Sequence, residues 1–188
     1  MPLWKLLGAG FIGLTLYAYW LRRVWPKGAA KVDMSLLDRS GDTRVIDEAH
    51  AAALLADVRK VLEHHGVSLG QMRLAVRLQA IDAEGLTHKI TAHRANRWRS
   101  VASARRVDRI DLLPGMSTLH AARVLAHEVM HAWLWVQDFP PLAPAIEEGL
   151  CELASFLYLL ALLHQPHLSR LHCEPREVHA QLASIERN

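Results

Sequence analysis

The five-residue motif His127-Glu128-Val129-Met130-His131 constrains this chain more than any other feature. Apolar residues flank it on both sides, which predicts one buried helix over 117–136 with Ser117 or Thr118 as the N-cap. On a helix, residues four positions apart lie on the same face. The imidazoles of His127 and His131 can therefore bind one metal ion, with Glu128 beside them to accept a proton.

The high histidine content of the chain does not account for this motif by chance. A chain with 12 histidines among 188 residues is expected to contain roughly 0.04 HExxH matches by chance. Two core histidines with an unrelated glutamate would also need polar partners inside an apolar helix. The pattern therefore indicates hydrolysis of an amide bond assisted by zinc, with His127 and His131 as ligands and Glu128 as general base.

A second apolar helix is predicted over Ala145–Leu163, after three prolines that interrupt the chain. The short connection makes the two helices antiparallel neighbours. Glu148 and Glu152 lie four residues apart on one face, so we assign Glu148 as the third metal ligand and Glu152 as a carboxylate that orients a bound histidine. Glu147 is the alternative third ligand, and Cys151 is a weaker one.

Two segments resemble the metallopeptidase domain of the plant DA1 family. They are Leu125–Leu134 (LAHEVMHAWL) and Pro144–Ser155 (PAIEEGLCELAS); in that family an LAHExMHAWL helix is followed by EEG at a similar distance. Met72–Asp82 and Ile110–Gly115 are similar more loosely, so the resemblance covers roughly residues 72–160. The LIM and ubiquitin-interacting regions of the plant proteins have no counterpart here, and their ubiquitin-linked biology is not carried over.

The resemblance implies a gluzincin-like zinc peptidase. In it, Zn²⁺ is bound by His127, His131 and a glutamate of the EEG segment, either Glu147 or Glu148, and Glu128 is the catalytic base. The expected fold is α+β and zincin-like, with a small sheet packed on the HExxH helix and on the glutamate-bearing helix. The expected substrate is a protein or peptide. The alternative is a non-catalytic, zinc-stabilised interaction module at a membrane, which a fourth protein ligand would favour.

The N-terminal stretch Leu3–Leu21 is apolar apart from Lys5 and a few weakly polar residues. It predicts a transmembrane helix, and the absence of a small-residue cleavage site after it favours a retained anchor over a signal peptide. Four basic residues within 22–31 place the bulk of the chain in the cytoplasm by the positive-inside rule. We therefore expect a single-pass membrane protein with an anchor (1–25), a basic linker (26–42) and a peptidase domain (43–188).

The rest of the domain predicts a mixed arrangement of helices and strands. A helix is expected over Thr43–His65 and strands over Arg73–Ile81 and Val107–Leu113, the latter bordering the cleft by analogy with zincins. A short amphipathic helix is expected over Glu174–Asn188. Six arginines occur in 94–109, but a solvated strand face explains them more simply than a nucleic-acid surface, so nucleic acid is not an expected partner.

Overall fold

The computed structural model describes residues 44–96 and 99–185, with side chains for all of these except 90–104. This part of the chain contains four α-helices, three β-strands and a short 3₁₀ helix, which confirms the α+β prediction. In chain order they are α1 (Glu48–His64), β1 (Ala75–Leu78), β2 (Gly85–Asn96), β3 (Arg99–Leu112), α2 (Thr118–Val136), α3 (Pro144–His164), the 3₁₀ helix (Pro166–Leu168) and α4 (Pro175–Ile185).

The three strands form one mixed sheet in the order β1-β3-β2. β1 runs parallel to β3, with Val76 opposite Ile110, and β2 runs antiparallel to β3, with Gly85 opposite Leu112. The prediction that 107–113 forms a strand at the border of the cleft is thus wrong. This segment belongs to β3, the central strand, which has a neighbour on each side. β2 lies at one edge of the sheet instead, since β3 is its only neighbour among the described strands.

Local capping signals explain where the helices begin. The Ser117 side chain accepts a hydrogen bond from the backbone N–H of His120, so α2 begins at the next residue, as predicted. Pro144 occupies the first turn of α3, where its missing N–H costs nothing. α1 begins at Glu48 rather than at residue 43, because Asp47 caps it and Val45 is held by backbone hydrogen bonds to Gly115 and Met116.

The α2 helix lies at the centre of the fold, in contact with α1, α3, β2 and β3. Its buried residues pack against the sheet and against the helices α1 and α3. Fully buried side chains of α1, β3, α2 and α3 form one core: Val58, Leu62, Ile110, Leu112, Leu125, Val129 and Leu159. The HExxH residues are therefore carried by a helix that packs against four other elements of the described chain.

The expected single-pass membrane location is corrected by the structure. No helix within 44–96 and 99–185 is both long and apolar enough to cross a membrane. The two longest helices there, α2 and α3, bury apolar residues within the core and also carry the histidines and glutamates of the motif segments. The predicted anchor 1–25, including Leu3–Leu21, and the linker 26–42 lie outside the described residues.

Candidate metal centre

The two histidines of the motif lie one turn apart on α2, on the side that packs against α3. Their ring centroids are 5.0 Å apart, and their side chains are 18% and 13% exposed. Both side chains are therefore mostly buried but still partly accessible to solvent. Two imidazoles in this position can reach a common ion while one side of that ion stays open to the cavity.

The carboxylate of Glu148 lies opposite the Nε2 atoms of both histidines. Its Oε2 is 3.2 Å from Nε2 of His127, and its Oε1 is 3.5 Å from Nε2 of His131. The structure thus brings together the three residues that the sequence assigned as ligands. Two imidazole nitrogens and one carboxylate are a donor set that zinc accepts in proteins.

The other nitrogen of each imidazole faces a different glutamate of α3. Nδ1 of His127 lies 3.3 Å from Oε1 of Glu152, and Nδ1 of His131 lies 2.9 Å from Oε1 of Glu147. A carboxylate at Nδ1 fixes both the tautomer and the orientation of the ring, which leaves Nε2 free to bind a metal. The three glutamates therefore occupy different positions. Glu148 lies near the Nε2 atoms of both rings, and Glu147 and Glu152 each lie near the Nδ1 atom of one ring.

Each of the two orienting carboxylates also has a cationic partner. Lys89 Nζ lies 2.6 Å from Glu147 Oε1, and Arg123 Nη1 lies 3.7 Å from Glu152 Oε2. The hydrogen bond from Lys89 is the main cause that lowers the pKa of Glu147; burial opposes it, and the hydrogen bond with His131 lowers the pKa further. Sequence reasoning missed both cations, although Arg123 precedes His127 by four residues and that spacing places them on one helix face.

The motif glutamate, Glu128, is held from the side of the sheet. Its side chain is buried, at 6% exposure, and Thr87 of β2 donates a hydrogen bond of 2.7 Å to Glu128 Oε2. Gly85 allows this close approach, because a Cβ atom there would lie 2.8 Å from Cγ of Glu128 and 2.7 Å from a methyl carbon of Val124. Neither β2 residue was identified from the sequence as part of the site.

These residues line an open cavity of about 530 Å³. That volume lies within the range of small-molecule and cofactor sites. Its walls come from the start of β2, from α2, and from the N-terminal half of α3 with the loop before it. The lining includes Gly85, Thr87, Lys89, Arg123, His127, Glu128, His131, Leu142, Glu147, Glu148 and Glu152.

Cys151 is a second possible donor next to the two histidines. One ligand atom from each of His127, His131 and Cys151 lies within 4.8 Å of the others. Burial raises the pKa of the Cys151 thiol, and the neighbouring carboxylates of Glu148, Glu147 and Glu128 raise it further. The side chain is fully buried and is not among the cavity-lining residues.

Known proteins are similar to this chain in two ways: individual relatives match one short segment, and a family model matches most of the chain. The Arabidopsis thaliana protein DA1-related 1 is 42% identical over 53 residues, which is 28% of this chain and 10% of that protein. Protein DA1 of Arabidopsis thaliana is 39% identical over 53 residues, again 28% of this chain and 10% of that protein. The LIM domain-containing protein HDR3 of Oryza sativa subsp. japonica is 42% identical over 53 residues, 28% of this chain and 11% of that protein.

The chain thus spans about a tenth of the length of these curated relatives. No solved structure matches it. The model of the DA1-like family, described as Protein DA1, matches residues 30–182, a longer stretch than the resemblance over 72–160 that the motifs carried. Because that match extends over well more than half of the chain, this protein belongs to the DA1-like family.

Proposed function

We propose that this chain is a zinc-dependent, gluzincin-like peptidase of zincin-like fold that hydrolyses protein or peptide substrates. His127, His131 and Glu148 would hold Zn²⁺, and Glu128 would be the general base. The observation that carries the proposal is the approach of Glu148 to both Nε2 atoms, at 3.2 and 3.5 Å, on the wall of an open cavity that Glu128 also lines.

The side chains on this wall divide the chemistry between them. His127, His131 and Glu148 would hold a zinc ion, which would supply the Lewis-acid chemistry that lowers the pKa of water and polarises a scissile carbonyl. Glu128 accepts the proton of the attacking water and later delivers it to the leaving amine. Thr87 donates to only one carboxylate oxygen of Glu128, so the other remains available for this proton. Glu147 and Glu152 keep the two imidazole rings in place through Nδ1.

The position of β2 supports an extended peptide as the substrate. β2 is an edge strand of the sheet, and four of its first residues, Gly85, Leu86, Thr87 and Lys89, line the cavity. An edge strand presents unpaired backbone N–H and C=O groups on its outer side, with which an extended chain can pair. Such pairing would lay the substrate backbone along the wall that carries Glu128.

The position of Cys151 favours a second candidate function. If the thiolate joined His127, His131 and Glu148 on one ion, the ion would have four protein ligands, which is typical of structural zinc sites. The chain would then be a non-catalytic, zinc-stabilised interaction module. We prefer the peptidase, because Glu128 lines the open cavity whereas Cys151 is buried outside the lining.

The experiment that tests the peptidase compares wild type with Glu128→Gln on a peptide library prepared from a whole-proteome digest. Cleavage products are identified by mass spectrometry, and zinc content is measured by elemental analysis of the same samples. We expect one zinc per chain in both proteins and a loss of cleavage of roughly 10²–10⁴-fold in Glu128→Gln, the usual contribution of a general base. Glu177→Gln on α4, outside the cavity, is the matched control and should cleave as wild type does.

Two results would contradict the peptidase. Full cleavage by Glu128→Gln would show that Glu128 is not the general base. A wild-type chain that binds zinc but cleaves no peptide would favour the interaction module instead.

A further inference from the structure

Alternate residues at the start of β2 face the candidate metal centre. Successive side chains of a strand point to opposite sides, so positions two apart share a face. Gly85, Thr87 and Lys89 form one such set, and all three line the cavity together with Leu86, although the pairing register with β3 shifts between Thr87 and Lys89. Gly85 and Thr87 approach the base Glu128, and Lys89 approaches Glu147, but none of the three is itself an assigned ligand or the base.

Thr87 contacts Glu128 at both its side chain and its backbone. The Thr87 hydroxyl donates to Glu128 Oε2 at 2.7 Å and also lies 3.0 Å from the backbone carbonyl oxygen of Glu128. The carboxylate is thereby fixed against β2 at one oxygen, in a place that is almost closed to solvent. A side chain without this hydroxyl would leave the Glu128 carboxylate free to rotate away from the cavity.

Lys89 acts on the other half of the site. Its Nζ lies 2.6 Å from Oε1 of Glu147, and that same oxygen lies 2.9 Å from Nδ1 of His131. One carboxylate oxygen therefore joins the lysine to the imidazole. Because Lys89 is on β2 and Glu147 is on α3, this contact also ties the edge of the sheet to the glutamate-bearing helix.

We propose that β2 positions the two halves of the site independently, Thr87 through the base Glu128 and Lys89 through Glu147 and the ligand His131. This inference rests on the peptidase function proposed above. Thr87 and Lys89 are positioning residues, since each acts through another side chain. The consequence is a separation of effects, in which Thr87 governs turnover and Lys89 governs zinc affinity.

The test measures both quantities on the 188-residue chain. Zinc dissociation constants are obtained by competition with a chromophoric chelator, and kcat and KM are measured at saturating zinc on the library peptide that wild type cleaves fastest. We expect Thr87→Val to lower kcat by about tenfold or more, within the range of base catalysis, with unchanged zinc affinity. Thr87→Ser should restore most of kcat. Lys89→Met should weaken zinc binding by roughly 10–100-fold with little change in kcat.

Lys60→Met, an exposed lysine of α1, is the matched control and should equal wild type in both measurements. Circular dichroism establishes that each variant is folded, and Thr87→Ala replaces Thr87→Val if the latter does not fold. The inference is overturned if the Thr87 and Lys89 variants change the same quantity, or if neither differs from wild type while wild type binds zinc and cleaves. A wild-type chain that binds no zinc would overturn the proposed function and this inference together.

Discussion

Glu147 Oε1 lies 2.9 Å from Nδ1 of His131, on the side of the ring away from the Nε2 that faces Glu148. Two adjacent glutamates therefore approach the same imidazole from opposite sides. Consecutive residues of a helix point about 100° apart, so both cannot take the same place between the rings. The sequence left Glu147 and Glu148 as alternatives, and this geometry supports Glu148 as the ligand and Glu147 as the residue that orients His131.

Substitution of the two glutamates should separate these roles. We expect Glu147→Gln to weaken zinc binding by roughly 10–100-fold, the usual loss when the partner of a metal-bound histidine is removed. Glu148→Gln should weaken it much further, because one of three protein donors is lost. The measurement is a chelator competition titration on both variants, with Glu177→Gln as the control. A larger loss in Glu147→Gln than in Glu148→Gln would reverse the assignment.

Replacement of Cys151 distinguishes an open zinc site from one closed by a fourth ligand. We expect Cys151→Ala to keep the zinc affinity and the cleavage activity of wild type, because the proposed ligands are His127, His131 and Glu148. The cobalt-substituted wild-type chain should correspondingly show no thiolate-to-metal charge-transfer absorption in the near ultraviolet. Strong absorption of that kind, lost in Cys151→Ala together with metal affinity, would support the interaction module.

Local signals in the sequence account for the helices that carry the site. Ser117 caps α2 and Pro144 begins α3 in the way that their residue types predict. The spacing of Glu148 and Glu152 was also readable, because it depends only on helix periodicity. These features need no knowledge of how distant segments of the chain meet.

The contributions of β2 could not be predicted from the sequence, because they depend on contacts between segments that are far apart in the chain. Thr87 lies 41 residues from Glu128 in the chain, and Lys89 lies 58 residues from Glu147. Their contacts depend on the strand order, which puts β2 rather than β3 at the sheet edge next to α2. No periodicity or motif marks a lone threonine or lysine as the partner of a residue on another element.

The buried carboxylate of Asp111 should make stability depend on pH below about 4. Burial by itself raises the pKa of Asp111, but hydrogen bonds from Arg109 and His88 together bring it below its usual value. An aspartate pKa that is lower in the folded state stabilises the fold above the unfolded value of about 3.9 and loses that contribution as pH falls through the folded value. Asp111→Asn should therefore be less stable than wild type at pH 6, and the difference should shrink as the pH is lowered below 4.

Urea denaturation at a series of pH values measures this difference. Asp82→Asn, an exposed position before β2, is the control and should show little dependence of this kind. A wild-type advantage over Asp111→Asn that stays constant down to pH 2 would contradict the role of the carboxylate.

Gly85 should be the glycine at which an added methyl group is least tolerated near the site. A Cβ there would lie 2.7 Å from Cγ1 of Val124 and 2.8 Å from Cγ of Glu128, whereas a Cβ at Gly149 of α3 meets nothing within 4 Å. Overpacking of this kind costs about 1–3 kcal/mol, so Gly85→Ala should lower the free energy of unfolding by that amount. It should also reduce cleavage, because Glu128 must shift. Gly149→Ala should instead stabilise its helix by about 1 kcal/mol. Urea denaturation of both variants measures the two effects, and equal stability of Gly85→Ala and wild type would show that β2 can move away from α2 at no cost.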